Sequence, residues 1–110
     1  MADLSIVRGD DYRVVITLSV DGLPFDLTGY TAAAQIRAST AGSAPLIADF
    51  VATVETPETD GIITLELDHD TTALFTVNGV WDLQITDGAD WVSTVVSGAV
   101  TVVPDVTRAP

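Results

Sequence analysis

The only histidine of the chain, His69, lies between Asp68 and Asp70, and histidine beside carboxylates occurs in general-base and metal sites. A Ser-His-Asp catalytic site would also need a serine on a glycine-framed turn and an oxyanion hole, and no such turn occurs in the sequence. A zinc site would need further histidines or cysteines, and the chain has no cysteine. We therefore predict that His69 is a surface residue in a turn.

Several aspartates stand close together, and calcium binds oxygen ligands of this kind. The segment 87–90 (DGAD) is too short for a helix-flanked calcium loop and suits a hairpin turn. A site shared by Asp60, Asp68 and Asp70 is the alternative, although solvated aspartates in turns explain the pattern better. A pair of catalytic carboxylates needs a cleft, for which a small domain with short turns has little room. We predict no catalytic residue, no metal and no cofactor, and hence no enzyme.

Two tryptophans and one tripeptide are the other candidates for binding. Trp81 falls among the inward-facing residues of a predicted strand, so we expect it in the core. Trp91 follows a turn and either packs over the end of the core or is exposed as a contact for a protein or a sugar. Arg8-Gly9-Asp10 matches an integrin-binding tripeptide, but it lies at the end of a strand, and we expect it to be a structural turn.

The charge of the chain excludes several classes of partner. Sixteen acidic residues stand against four arginines and no lysine, which gives a net charge of −12. Nucleic acids and anionic membranes should both repel such a protein. No apolar run approaches the roughly 20 residues of a membrane-spanning helix, and the N-terminus lacks the features of a secretory signal. We expect a soluble protein, made in the cytoplasm, with neither nucleic-acid nor membrane partners.

The spacing of apolar residues has a period of two, and β-branched residues are abundant, which together predict strands. The sequence predicts strands over residues 4–8, 12–20, 31–37, 46–54, 62–68, 80–86 and 91–103. About seven strands of this kind predict an all-β domain, an antiparallel immunoglobulin-like β-sandwich. One short helical turn is expected after residue 69, capped by Asp70 or Thr71, with Leu74 filling the end of the core. Residues 1–104 form the predicted domain, with a bulge at Gly98, and 105–110 an extended tail.

The corner Gly22–Tyr30 (GLPFDLTGY) resembles the G-x-P-x-D-L-T-G signature of small tail and baseplate proteins of bacteriophages. It follows an R-G-D-D start and one long strand, and it precedes a strand that ends in arginine. The resemblance continues through residues 61–65 (GIITL), 79–84 (GVWDLQ), 98–102 (GAVTV) and 105–108 (DVTR). Over nearly its whole length, the chain is similar to the N-terminal domain of upper-baseplate proteins of phages that infect lactococci.

This resemblance implies an immunoglobulin-like sandwich that attaches to neighbouring virion subunits and has no enzymatic activity. We accordingly expect a minor tail or baseplate protein of a phage virion, made in the host cytoplasm and present in multiple copies of a symmetric assembly. A capsid decoration or head–tail connection protein is one alternative. A carbohydrate-binding receptor module that uses Trp91, Tyr30 and surface aspartates is another. The residues that we expect at protein interfaces are Leu4, Ile6, Arg8, Trp91, Val106 and Arg108.

Overall fold

The computed structural model describes residues 2–106, and in that range the chain is all-β, as predicted. Two short helical segments interrupt the strands, the 3₁₀ turn Glu58–Asp60 and the helix α1 (His69–Thr72). The ten strands are β1 (Leu4–Val7), β2 (Tyr12–Thr17), β3 (Ser19–Val20), β4 (Leu23–Pro24), β5 (Thr31–Arg37), β6 (Leu46–Asp49), β7 (Val51–Val54), β8 (Ile62–Leu67), β9 (Gly79–Thr86) and β10 (Val92–Val103).

The strands form two main sheets and a small hairpin. The first sheet has five strands in the order β1-β10-β9-β5-β6, and the second has three in the order β2-β8-β7. Strands β3 and β4 pair with each other. All these pairs are antiparallel except that of β1 with β10, which is parallel and sets Leu4 opposite Val100. No hairpin turn joins β1 to β10, so their relative direction is free, and the prediction of a wholly antiparallel fold was wrong at this pair.

Alternate residues of both sheets bury their side chains in one apolar cluster. From β9, Trp81, Leu83 and Ile85 enter this core, as the period of two predicted. From the three-stranded sheet, Ile63 and Leu65 enter it as well. Each such side chain contributes about 1.5–3 kcal/mol to stability when it is fully buried. The outer faces of the two sheets are therefore left for solvent or for partners.

The predicted strand 46–54 is divided between the two sheets. Its first part is β6 of the five-stranded sheet, and its second part is β7 of the three-stranded sheet. Phe50 lies at the crossing, where its backbone N–H donates a hydrogen bond to the carbonyl oxygen of Ala34 at 3.0 Å. Its ring packs edge-on against Trp81, with 6.1 Å between the ring centroids. Alternation reports which side chains are buried but not which sheet they belong to, so it does not reveal the crossing.

The predicted strand 12–20 also ends early. Strand β2 stops at Thr17, and the chain then forms the β3–β4 hairpin around Asp21 and Gly22. Both of these residues have positive φ, 52° and 79°, as a two-residue hairpin turn requires. Val20, at the end of the predicted strand, is exposed because it belongs to this hairpin.

The cap of the helical turn lies two or three positions before the predicted caps, Asp70 or Thr71. The Asp68 side chain caps α1, its Oδ1 accepting a hydrogen bond from the backbone N–H of Thr71 at 2.8 Å. Leu74, which was predicted to fill the end of the core, is 78% exposed. Phe75 is 2% exposed and belongs to the core instead.

The predicted bulge at Gly98 is also misplaced. The register of β10 against β9 shifts between Thr94 and Val96, several residues before the glycine. At Gly98 a side chain would collide with the carbonyl oxygen of Ala2, because the segment before β1 lies across β10 there. The glycine is thus required for a close approach between two segments of backbone.

Gly61 and Gly29 form a matched pair for testing backbone constraint. Both have positive φ, 69° and 81°, but a Cβ atom on Gly61 would lie 2.6 Å from the oxygen of Leu18, whereas one on Gly29 would meet nothing within 4 Å. We expect Gly29→Ala to cost about 1–2 kcal/mol of unfolding free energy through backbone strain alone. Gly61→Ala should cost about 1–2 kcal/mol more because of the added collision, and urea unfolding measures both. Equal costs would contradict this assignment.

Candidate interaction surface

Charged residues are nearly absent from the five-stranded sheet. In the described chain its five strands carry three of them, Arg37, Asp49 and Asp82, and strands β1 and β10 carry none. Asp49 lies at the end of β6 and lines a separate groove beside Arg13 and Asp68. The sequence as a whole has sixteen acidic residues, so charge is concentrated in loops and chain reversals rather than on this sheet.

The outer side of this sheet forms a single surface, which we call the charge-poor face. Its side chains come from alternate positions of three adjacent strands, where Gln35 and Ser97 both lie opposite Asp82. Apart from Arg37 and Asp82, it consists of small or neutral side chains. The charge-poor face comprises Ala33, Gln35, Arg37, Val80, Asp82, Gln84, Ser97 and Ala99.

A groove of about 780 Å³ runs over the charge-poor face, with the loop 39–42 along its rim. Arg37 holds this loop in place, since its Nη1 donates a hydrogen bond to the carbonyl oxygen of Ala44 at 3.1 Å. Its Nε and Nη2 donate to Oε1 of Gln35 at 3.2 and 2.9 Å. A guanidinium has five N–H donors, so two remain on Arg37 for another acceptor.

Asp82 is the acidic counterpart of Arg37 on the charge-poor face. Its side chain is half-buried on β9 at the middle of the sheet. Between residues 2 and 106, neither a hydrogen bond nor an ion pair holds its carboxylate. Because a carboxylate deprived of water needs a partner, any subunit that covers this face must supply a donor to Asp82.

The outer side of the three-stranded sheet differs in character. Arg13 and Glu66 face each other across β2 and β8 and form an ion pair of 2.9 Å between Nη2 and Oε2. Both side chains are well exposed, so this pair contributes little to stability. Val15, on the same side of β2, is 55% exposed. This surface is a natural control for substitutions on the charge-poor face.

The structure corrects two of the predicted interface residues. Leu4 and Ile6 are 8% and 0% exposed, since both belong to the core of the chain itself. They point inward because β1 pairs with β10, which makes Ser5 and Val7 the outward residues. The alternation L-S-I-V signals this burial, but the sequence does not show that a strand so near the N-terminus joins the sheet.

Arg8 is bound to its own chain. The guanidinium Nη2 donates to the carbonyl oxygen of Ala73, just after α1, at 3.0 Å. Its Nε is buried and has no hydrogen-bond partner in the part of the chain that is described. Arg8 thus joins the loop after β1 to the helical turn, which is a structural role.

Trp91 and Val106 are accessible, as an interface would require. Trp91 is 73% exposed, and its backbone N–H donates to Oδ1 of Asp87 at 2.9 Å, which fixes the β9–β10 turn. Val106 is 92% exposed. Arg108 lies outside the described residues. The prediction overlooked Leu74 and Val77, which are exposed in the irregular segment between α1 and β9, where the period of two offers no guide.

The histidine of the sequence binds a carboxylate that was not among its predicted neighbours. Nδ1 of His69 lies 2.9 Å from Oδ1 of Asp11, and the same oxygen accepts the backbone N–H of His69 at 2.8 Å. These bonds lower the pKa of Asp11, and the Asp11 carboxylate raises the pKa of His69. Beside them, Oγ1 of Thr72 donates to the carbonyl oxygen of Asp10 at 2.7 Å. The residues 8–11 (RGDD) thus anchor α1.

No set of three or more histidine, aspartate or glutamate side chains within residues 2–106 is arranged to hold a metal ion. The proposed trio of Asp60, Asp68 and Asp70 is not brought together. Asp68 caps α1 through Thr71, and Asp70 lies 3.7 Å from Nε2 of His69. Asp60 belongs to the 3₁₀ turn after β7, away from α1 in the chain.

The two tryptophans should respond very differently to truncation. Trp81 is buried, and its Nε1 donates to the carbonyl oxygen of Ala2 at 2.7 Å. We expect Trp81→Ala to lower the unfolding free energy by about 3–5 kcal/mol and Trp91→Ala by less than about 0.5 kcal/mol. Urea unfolding followed by circular dichroism compares the two variants. A large loss from Trp91→Ala would show that its ring contributes to the fold.

The pairing of His69 with Asp11 predicts a pH effect of defined sign. The folded pKa of His69 is raised above its ordinary value of 6.5, so its contribution to stability is complete below that value. That contribution is lost as the pH rises through the folded pKa. NMR titration of the His69 ring should therefore give a value above 6.5. Asp11→Asn should bring it down by more than Asp70→Asn does, and an unchanged midpoint in Asp11→Asn would contradict the pairing.

Comparison with known proteins does not assign the chain to a protein family. None of the protein-family models matches the sequence, and the search of curated proteins finds no significant match. Among the described residues, no helix is both long and apolar enough to cross a membrane. The case for a function therefore depends on the surfaces described above and on the resemblance noted in the sequence.

Proposed function

We propose that this chain is a non-catalytic structural component of a phage virion, a minor tail or baseplate protein, and that it binds neighbouring subunits through the charge-poor face. The observation that carries the proposal is that the five strands of this broad sheet carry three charged residues, in a chain whose net charge is −12. Surfaces that become buried between proteins are depleted of charged residues at their centres. The resemblance to phage tail and baseplate proteins supplies the class of partner, other virion proteins.

The order of the strands supports the immunoglobulin-like outline of that family. Sandwiches of the constant type have strands G, F and C in one sheet and B, E and D in the other. Taken in chain order, β10, β9 and β5 correspond to the first set, and β2, β8 and β7 to the second. Strand β6 then takes the place of the extra strand beside C that variable-type domains have.

The residues that carry the resemblance have physical roles in the corner before β5. Oδ1 of Asp26 accepts hydrogen bonds from the backbone N–H and the Oγ1 of Thr28, at 2.9 and 2.6 Å. Gly29 has a φ of 81°, which suits glycine, and Leu27 is completely buried. Such a corner fixes where β5 begins. Strand β5 in turn carries Arg37, one of the two charged residues of the charge-poor face.

A carbohydrate-binding receptor module is the second candidate, and the exposure of Trp91 favours it. An exposed indole can stack on the apolar face of a sugar ring. Tyr30 is less suited to this role, because it is half-buried and packs edge-on against Phe25 with 5.5 Å between the ring centroids. Binding on a glycan array that Trp91→Ala abolishes would favour this candidate over a purely structural role.

Particles produced from the genome that encodes this chain test the proposal directly. We expect immunogold labelling to find the chain at the tail, whereas labelling of the head would indicate a capsid decoration or connection protein. Ala33→Glu should reduce incorporation at least about tenfold, because a buried unpaired charge costs more than the 1.4 kcal/mol of a tenfold change. Val15→Glu, on the other sheet, should leave incorporation unchanged. Absence of the unaltered chain from purified particles would refute the proposal.

A further inference from the structure

The edge formed by β2 differs from the other edges of the two main sheets. The four outer strands are β1 and β6 of one sheet and β2 and β7 of the other. Strand β2 has six residues, whereas each of the other three has four. It contains neither proline nor glycine, and its register against β8 is continuous. Apart from one arginine, β2 thus lacks the features that usually prevent an exposed edge from pairing with another strand.

Alternate backbone groups of β2 point away from β8. The N–H of Leu18 donates to the carbonyl oxygen of Gly61 at 2.8 Å, directly after the last pair of the β2–β8 register. Hydrogen-bonded pairs alternate with non-hydrogen-bonded ones in an antiparallel ladder, so the even-numbered residues of β2 bind β8. Within residues 2–106, no other segment binds the remaining backbone groups of the strand. The residues with free N–H and C=O groups are therefore Arg13, Val15 and Thr17.

The inward side chains of β2 are also incompletely covered. Tyr12, Val14 and Ile16 pack against the core but remain half-buried. On the adjacent strand β8, Ile63 and Leu65 are 0% exposed, since β8 has a neighbouring strand on either side. A further strand beside β2 would therefore bury apolar surface in addition to binding the free backbone groups.

Comparison with immunoglobulin-like sandwiches accounts for this open position. In the constant type, strand A lies beside strand B in the sheet that also holds E and D. Strand β2 corresponds to B, but the strand that precedes it, β1, pairs with β10 of the opposite sheet. In the described part of the chain, no strand takes the place of A beside β2.

The charges near this edge define the chemistry of a strand that would fit it. A groove of about 480 Å³ begins at residues 11–13 and crosses the outer side of the three-stranded sheet. One arginine, Arg13, lines it and is already bound to Glu66. Basic side chains on an added strand would be attracted to this groove, whereas a second copy of the chain would bring a net charge of −12. The four carboxylates that line the groove are those of Asp11, Asp49, Glu66 and Asp68.

We propose that the free edge of β2 binds an extended segment of another protein, in which apolar residues alternate with basic ones. The segment adds a fourth strand to the three-stranded sheet. Its backbone binds the free N–H and C=O groups of β2, its apolar side chains cover the half-buried row, and its basic side chains face the acidic groove. This site is separate from the charge-poor face and does not depend on the proposed virion role.

A synthetic peptide of this pattern tests the site. The capped peptide Lys-Val-Lys-Ile-Thr-Val-Lys should bind the intact chain with a dissociation constant between micromolar and millimolar. NMR should show slower hydrogen exchange at the amides of Arg13, Val15 and Thr17 when the peptide is bound. The same peptide with glutamate in place of lysine should bind at least about tenfold more weakly. Failure of the lysine peptide to bind at millimolar concentration would overturn the proposal.

A proline in β2 tests the backbone contact. Val15→Pro removes an N–H on the free edge and no bond to β8, so the variant should still fold, because edge strands tolerate proline. It should weaken peptide binding at least about tenfold. Val15→Ala keeps the N–H and should bind as the unaltered chain does. Circular dichroism checks the fold of both variants, and equal affinities of the two would contradict strand addition.

Methylation of the peptide backbone tests the same contact with the protein unaltered. Successive N–H groups of an added strand face β2 and solvent in turn. N-methylation of the central isoleucine and N-methylation of the threonine after it should therefore differ, one abolishing binding and the other having little effect. If both methylated peptides bind equally well or equally poorly, the peptide does not bind as a strand and the proposal fails.

Other occupants of the edge give different results. If the β2 edges of two copies pair with each other, sedimentation equilibrium of the chain alone will show a dimer that Val15→Pro abolishes, and this would overturn the proposal of a foreign segment. Ala33→Glu, on the charge-poor face, should leave peptide binding unchanged. Peptide binding by a chain that is absent from particles would support this site and refute the virion role alone.

Discussion

The fold depends on one requirement, that alternate side chains of both sheets share a single apolar core. Phe50 meets this requirement at the point where the chain leaves one sheet and enters the other, since it packs on Trp81 while its backbone binds Ala34. Because the inward positions are all occupied by this core, each strand has only its outward positions left for interaction with other molecules. The outward residues of the two sheets can then diverge without cost to the fold.

This divergence is the basis of the proposed role. One outer surface carries an exposed ion pair between Arg13 and Glu66, as solvated sheet surfaces often do. The other carries Arg37 and Asp82 among small or neutral side chains, and these two charges do not pair with each other. Acidic side chains instead occupy the turns, where Asp26, Asp68 and Asp87 accept hydrogen bonds from backbone N–H groups. These carboxylates thus stabilise turns, and their negative charge keeps the surrounding surface hydrated.

Sequence reasoning located most strands within one or two residues, because period-two alternation marks which side chains are buried. It identified the core residues of β8 and β9 for the same reason, whereas the corner at 22–30 was found from its resemblance to a known signature. It failed for features that depend on which strands pair with each other. These are the crossing at Phe50, the parallel pairing of β1 and the burial of Leu4 and Ile6. The charge-poor face was also missed, since only the sheet order brings β5, β9 and β10 together. For Trp91 the sequence allowed both burial over the end of the core and exposure, and the structure shows exposure.

The parallel pairing of β1 with β10 has a consequence for how the molecule is made. Leu4 meets Val100, and Asp3 binds Ala99 across 96 positions of the chain, so this edge of the sheet is assembled from segments far apart in sequence. On a ribosome, β1 emerges early and must wait for β10 before it finds its place. Until then Leu4 and Ile6 have no strand to bury them, and the net negative charge of the chain opposes association between such unfinished chains. Slow closure of distant contacts is the expected folding behaviour of such a topology.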